Sequence, residues 1–182
     1  MNETLTLGYA LCGSFCTFEK SLQALEALSG RYANIIPIFS EASATLDTRF
    51  GRATEHITRA EQICGRPALR SLTDAEPIGP KKLLIVAPCT GNTLAKLARG
   101  VADSTVTLAC KAHLRNERPI VLAVSSNDAL AGNAASLGKL LARRYFYFVP
   151  FGQDSPMKKP ASLVADFTKL PETVDLALQG KQ

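Results

Sequence analysis

The sequence predicts an α/β domain in which a mostly parallel sheet is doubly wound into a three-layer sandwich, and three observations carry that expectation. Five short apolar runs have the length and continuous hydrophobicity of strands buried on both faces. Segments with apolar residues at helical spacing alternate with these runs, and parallel neighbours need such crossovers. Small polar residues gather directly after the runs, at the edge where sheets of this kind bind ligands.

The elements follow in order. Leu5 to Cys12 is the first run, and after Gly13-Ser14 the residues Phe18, Leu22, Leu25 and Leu28 repeat at helical spacing until Gly30. Asn34 to Phe39 is the second, although Pro37 lacks a backbone donor and sits uneasily in a central strand. Ala53, Ile57, Ala60 and Cys64 predict a helix closed by Gly65-Arg66-Pro67, and the stretch to Pro80 reads as loop. Leu83 to Ala87 is the third run, which Pro88 to Thr93 turn into a helix from Leu94 to Arg99. Asp103 is the expected N-cap of a helix through His113-Leu114. Ile120 to Val124 is the fourth run, with cap chemistry at Ser125-Ser126-Asn127-Asp128 ahead of Leu130, Ala134, Leu137 and Leu141. Tyr145 to Val149 is an aromatic strand, Phe151 to Pro160 reads as an irregular loop, and Pro171 opens a helix through Gln179.

Composition narrows the class. A chain of 182 residues has room for one ordinary domain, here residues 1–182, and 46% hydrophobic with 20% charged residues is the balance of a soluble globular protein. The formal charge of +5 is modest, and the pairs Lys81-Lys82, Arg143-Arg144 and Lys158-Lys159 are scattered, so nucleic-acid binding is not expected; a small anionic ligand suits the balance as well as plain surface charge does. The five cysteines include no CxxC pair and leave one over in any disulfide scheme, which points to a reduced, cytoplasmic setting and away from zinc. No run approaches membrane-spanning length. The first apolar run follows Glu3 without a basic segment, so it reads as a strand and not as a signal peptide.

Hydroxyls and small residues after the strands, Gly13-Ser14, Ser40, Thr90 to Thr93, Ser125 to Asn127 and Gly152 to Asp154, can present donors to an anion at helix N-termini. Gly13 is not part of a GxGxxG fingerprint, so a mononucleotide phosphate fits better than a dinucleotide, with a plain capped turn as the alternative. His56 and His113, the two histidines, fall inside helical segments without metal-spaced partners and read as structural or surface residues. Cys12 and Cys16 flank the Gly13-Ser14 turn, where small buried thiols are common.

The segment from Pro88 to Ser104, PCTGNTLAKLARGVADS, resembles the P-x-S/T-A/G-N-T-x-A-K-x-A-x-G-x-A-D-N signature of homo-oligomeric FMN-binding flavoproteins, which include cysteine decarboxylases. The resemblance implies a Rossmann-like flavoprotein fold, FMN as cofactor, and a flavin grip by Thr90, Gly91, Asn92 and Thr93, with Gly13, Ser14 and Ser40 around its phosphate. Further segments, among them DTRFG at 47–51, AEPIGP at 75–80, VSSNDAL at 124–130 and FVPFGQDSPMKKP at 148–160, are similar to the B-type subunits of dipicolinate synthase. That branch implies oxidation of dihydrodipicolinate to dipicolinate in the mother cell of a sporulating bacterium, with an A subunit as partner that carries NAD(P). Two features depart from the decarboxylases. Asp74-Ala75-Glu76-Pro77 stands where they carry a catalytic His, and Val124-Ser125-Ser126-Asn127 keeps only the Asn of their substrate motif. A non-catalytic flavin-binding or stabilising subunit and a diverged decarboxylase therefore stay open, and no catalytic residue is assigned. A dicarboxylate substrate needs cations, for which Arg49, Arg115, Lys158 and Lys159 are candidates, and Asn127 is either a carboxylate donor or a helix cap.

Overall fold

In the computed structural model, which describes residues 5–75 and 82–182, the expected layers are present. The strands are β1 (Thr6–Leu11), β2 (Asn34–Phe39), β3 (Leu83–Cys89), β4 (Ile120–Ser126), β5 (Phe146–Phe148), β6 (Phe151–Ser155) and β7 (Lys159–Ala165). The helices are α1 (Phe18–Ser29), α2 (Glu41–Thr45), α3 (Ala53–Cys64), α4 (Leu72–Ala75), α5 (Gly91–Arg99), α6 (Thr105–Arg115), α7 (Ala134–Leu141) and α8 (Leu170–Leu178). The sheet runs β2-β1-β3-β4-β7-β6, with β5 also beside β4. Pairings among β1 to β5 are parallel, and β7 is antiparallel to both β4 and β6.

Alternation along the strands divides the core. Leu7, Tyr9 and Leu11 of β1 and Leu83, Ile85 and Ala87 of β3 face α1, α3 and α8. Ala10, Leu84, Val86, Ile120 and Leu122 face α5, α6 and α7. Both sheet faces are therefore dry, which is why these strands read as unbroken apolar runs. Pro37 fits because β2 is the edge strand. Its carbonyl points outward to accept the Leu69 N–H, so its own nitrogen lies on the side where no neighbouring strand needs a donor.

Four expectations change. Phe151 to Pro160 is not an irregular loop but most of a β6–β7 hairpin. A short helix, α4, interrupts the stretch expected as loop before Pro80. The N-cap of α6 is Ser104, whose Oγ accepts the Thr107 N–H; Asp103 instead pairs with Lys96 at 2.8 Å. Asn127 caps no helix, because the chain turns through residues 127–133 before α7 begins. Glu76 to Pro80 and Lys81 lie outside the described residues.

Candidate functional site

The strand order 2-1-3-4 places a topological switch between β1 and β3: the chain leaves β1 through α1 on one face and leaves β3 through α5 on the other. Loops diverge there and open a crevice at the carboxyl ends of the strands. Two adjoining cavities occupy this edge. The larger, of about 750 Å³, is lined by Gly13, Ser14, Cys16, Arg49, Thr90, Gly91, Asn92, Asn127 and Lys159, among others. The smaller, of about 410 Å³, is lined by Cys12, Gly13, Ser40, Thr90, Asn92, Thr93 and Lys96, among others. Each volume is in the range of small-molecule sites.

Short-range capping chemistry positions the polar groups. Thr90 is the N-cap of α5, its Oγ1 accepting the Thr93 N–H at 3.2 Å. That leaves the first-turn N–H groups of Gly91 and Asn92, which by helix geometry have no acceptor within α5, at the cavity wall. The Thr93 hydroxyl turns inward and donates to Cys12 Sγ at 3.3 Å, tying α5 to the end of β1. Burial pushes the Cys12 thiol up to about 11 against this hydrogen bond, so it stays protonated. Ser40 caps α2 in the same way as Thr90, through the Ser43 N–H at 3.3 Å.

On the β4 side the Ser14 and Ser125 hydroxyls meet at 2.7 Å. The Ser126 hydroxyl donates to Asp128 Oδ1 at 2.6 Å and the Asn133 amide donates to Asp128 Oδ2 at 2.8 Å. These bonds, the Ser126 one foremost, hold the Asp128 carboxyl below the usual range. Gly91 packs directly on this cluster: a Cβ there would lie 2.5 Å from Ser126 Oγ and 2.7 Å from Asp128 Oδ1. Only glycine lets the start of α5 come this close to the turn after β4.

The structure thus brings together Gly13, Ser14, Ser40, Thr90, Gly91, Asn92 and Thr93 around the switch point, with Ser14 on the larger cavity and Ser40 on the smaller. Arg49, Asn127 and Lys159 line the larger cavity. Lys158 does not; it sits in the exposed turn of the hairpin. Arg115 borders a separate groove with Leu97 and Arg143, and Gly152 to Asp154 face another. His113 is buried with Nδ1 2.8 Å from the Ala109 carbonyl, and His56 packs edge-on against Phe18. Sequence reasoning missed Phe50, Asp128 and Asn133 as wall residues; the turn that folds Asp128 and Asn133 together has no periodicity to betray it. Hydroxyls, an exposed amide and helix-terminal N–H groups beside two cations form a donor set suited to a polar ring system with an anionic tail.

The Flavoprotein family matches residues 1–150. The B-type subunit of dipicolinate synthase of Bacillus subtilis (strain 168) is 41% identical over 179 residues, covering 97% of this chain and 90% of that protein. The crystal structure of the corresponding B-type subunit from Bacillus halodurans superposes with a TM-score of 0.90 at 41% identity, covering 100% of this chain and 95% of that one. The FMN-dependent cysteine decarboxylase SpaF shares the fold, with a TM-score of 0.67 at 20% identity over 96% of this chain and 97% of its own.

Proposed function

Since this chain belongs to the Flavoprotein family, we propose that it is a B-type subunit of dipicolinate synthase that binds FMN and takes part in oxidising dihydrodipicolinate to dipicolinate. The observation that carries this reading is identity of 41% sustained over almost the whole of both chains, with the residues of the resemblance lining one crevice. Thr90, Gly91, Asn92 and Thr93 would hold the flavin with Gly13, Ser14 and Ser40, and the bound flavin would supply an acceptor for hydride. The smaller cavity is the candidate phosphate site, because Ser40, Asn92 and Lys96 line it; Lys96 is already paired with Asp103 at 2.8 Å, and Glu41 accepts from Thr105 at 2.9 Å and 2.8 Å.

The residues of this chain would bind and orient; no side chain is assigned to move a proton. Arg49, Lys159 and Asn127 would meet the substrate carboxylates, whereas Lys158 and Arg115 are the weaker cation candidates because both stand outside the cavity. Oxidation is favoured by the aromatic product, and an oxidoreductase subunit of this kind would work with an A subunit carrying NAD(P), as a homo-oligomer of its own chain, in the cytoplasm of a sporulating mother cell.

The test is reconstitution. The purified chain should carry a flavin absorbance band, and dihydrodipicolinate should be converted to dipicolinate only when it is combined with the A subunit. A chain that never takes up flavin, or an A subunit equally active alone, would overturn this reading.

A further inference from the structure

One part of the larger cavity is built more firmly than a surface loop requires. Thr48 and Gly51 exchange two backbone hydrogen bonds, at 3.0 Å and 3.1 Å, so Arg49 and Phe50 are the two central residues of a tight turn. The Thr48 hydroxyl accepts the Phe50 N–H at 3.1 Å, and Asp47 and Glu55 bind the Ala53 and Arg52 N–H groups at 2.9 Å and 3.1 Å. Gly51 has φ +128°, and a Cβ there would lie 2.8 Å from His56 Nε2. The turn is pinned at both ends.

Its two central side chains both line the cavity. The Arg49 guanidinium sits 4.8 Å from the centroid of the Phe50 ring, and Phe50 is 44% exposed. Among the described residues no carboxylate pairs with Arg49, whereas Lys159, which lines the same cavity, is engaged by Asp154 at 2.8 Å. A guanidinium held over a ring by its charge makes no hydrogen bond to it, so its N–H donors stay available to a carboxylate. Stacking also lowers the rotamer freedom that a free arginine would lose on binding.

We propose that Phe50 is a positioning residue: it holds Arg49 as a carboxylate receptor, so that the chain binds an aromatic dicarboxylate with one carboxylate on Arg49 and the other towards Lys159. This rests on the function proposed above, and deepens it by naming what orients the substrate.

Calorimetric titration of dipicolinate into the full-length, flavin-loaded chain tests it without turnover. Phe50→Leu should weaken dipicolinate binding roughly five- to tenfold, and Phe50→Tyr should retain it, with flavin affinity and thermal midpoint unchanged in both. In an Arg49→Ala background Phe50→Leu should cost nothing further, because its effect passes through Arg49. Wild-type affinity in Phe50→Leu, or a loss that adds fully to that of Arg49→Ala, would overturn the proposal. So would a wild-type chain that does not bind dipicolinate; if that same chain still supports dipicolinate formation with the A subunit, the positioning role falls and the proposed function stands.

Discussion

The Ser14 and Ser125 hydroxyls, 111 residues apart in sequence, form a 2.7 Å hydrogen bond that joins the loop after β1 to the end of β4. Because β3 lies between those strands, the bond bridges over the carboxyl end of β3 beside the switch point. Thr17 supports it, donating to the Ser14 carbonyl at 2.9 Å and lying 3.4 Å from Ser125 Oγ. Ser14→Ala should lower stability by about 0.5–1.5 kcal/mol, the net worth of one such bond, and should weaken FMN binding by more than Ser125→Ala does, since both residues line the cavity but Ser14 is the more exposed to it. Denaturant unfolding and flavin fluorescence titration check the two parts.

Gly91 supplies a second test, because its missing side chain is what lets α5 meet the turn after β4. Gly91→Ala places a methyl group against Ser126, Asp128 and Asn133 at 2.5, 2.7 and 2.8 Å. Overpacking of this kind costs about 1–3 kcal/mol. Gly138→Ala is the control: it lies inside α7 with nothing within 4 Å of the added group, and should stabilise by about 0.5–1 kcal/mol. A Gly91→Ala variant as stable as the wild type, or more so, would show that the packing at Gly91 is not tight.

How much of this was legible in the sequence follows from burial. Strands β1, β3 and β4 are covered on both faces, so their apolar runs marked them at once. The β6–β7 hairpin was not legible because it projects beyond the layers: Gly152, Gln153 and Asp154 are exposed, and exposure removes the alternation by which a strand is recognised. Asp103 alone is the expected cap of α6, but it pairs with Lys96, seven residues before it, and its neighbour Ser104 caps the helix instead. At the site, residues adjacent to strand ends could be assigned in advance, since a parallel sheet brings those ends to one edge. Lys159 joins them only because the hairpin folds back beside β4, and Lys158, its neighbour in sequence, stays out because it belongs to the exposed turn before β7 begins.

The thiols should separate by exposure. Cys16 is exposed and lines the larger cavity, Cys64 is partly buried, and Cys12, Cys89 and Cys110 are buried. A disulfide reagent should therefore modify Cys16 first, and dipicolinate or flavin should slow that step. Burial raises Cys12 to about 11 and Cys64 to about 12 from 9.0. A thiol raised in the folded state favours that state below the unfolded pKa and loses the advantage as pH rises towards the folded value. Stability should accordingly fall from pH 9 to 11, by about 1.4 kcal/mol per pH unit for each group that ionises only on unfolding. Equal reactivity of all five thiols, or stability flat across that range, would contradict this.

Asp154 offers the sharpest test of how the second cation is used. Its carboxylate binds Lys159 at 2.8 Å and holds that ammonium above its ordinary pKa, so part of the positive charge facing the cavity is already answered. Both side chains are substantially exposed, and a solvent-screened pair of this kind contributes little to folding. Asp154→Asn should thus leave the thermal midpoint nearly unchanged while releasing Lys159 towards the cavity. On the proposed reading, dipicolinate should then bind more tightly, by roughly two- to tenfold at low salt, the gain shrinking as ionic strength rises. Arg49 acts on Lys159 electrostatically, lowering its pKa, so the freed ammonium adds to an existing positive field. The double variant Asp154→Asn with Lys159→Ala separates this from a general charge effect, since removing Lys159 should abolish the gain. If Asp154→Asn tightens binding equally with and without Lys159, the substrate carboxylate responds to the lost negative charge alone, and Lys159 makes no contact of its own.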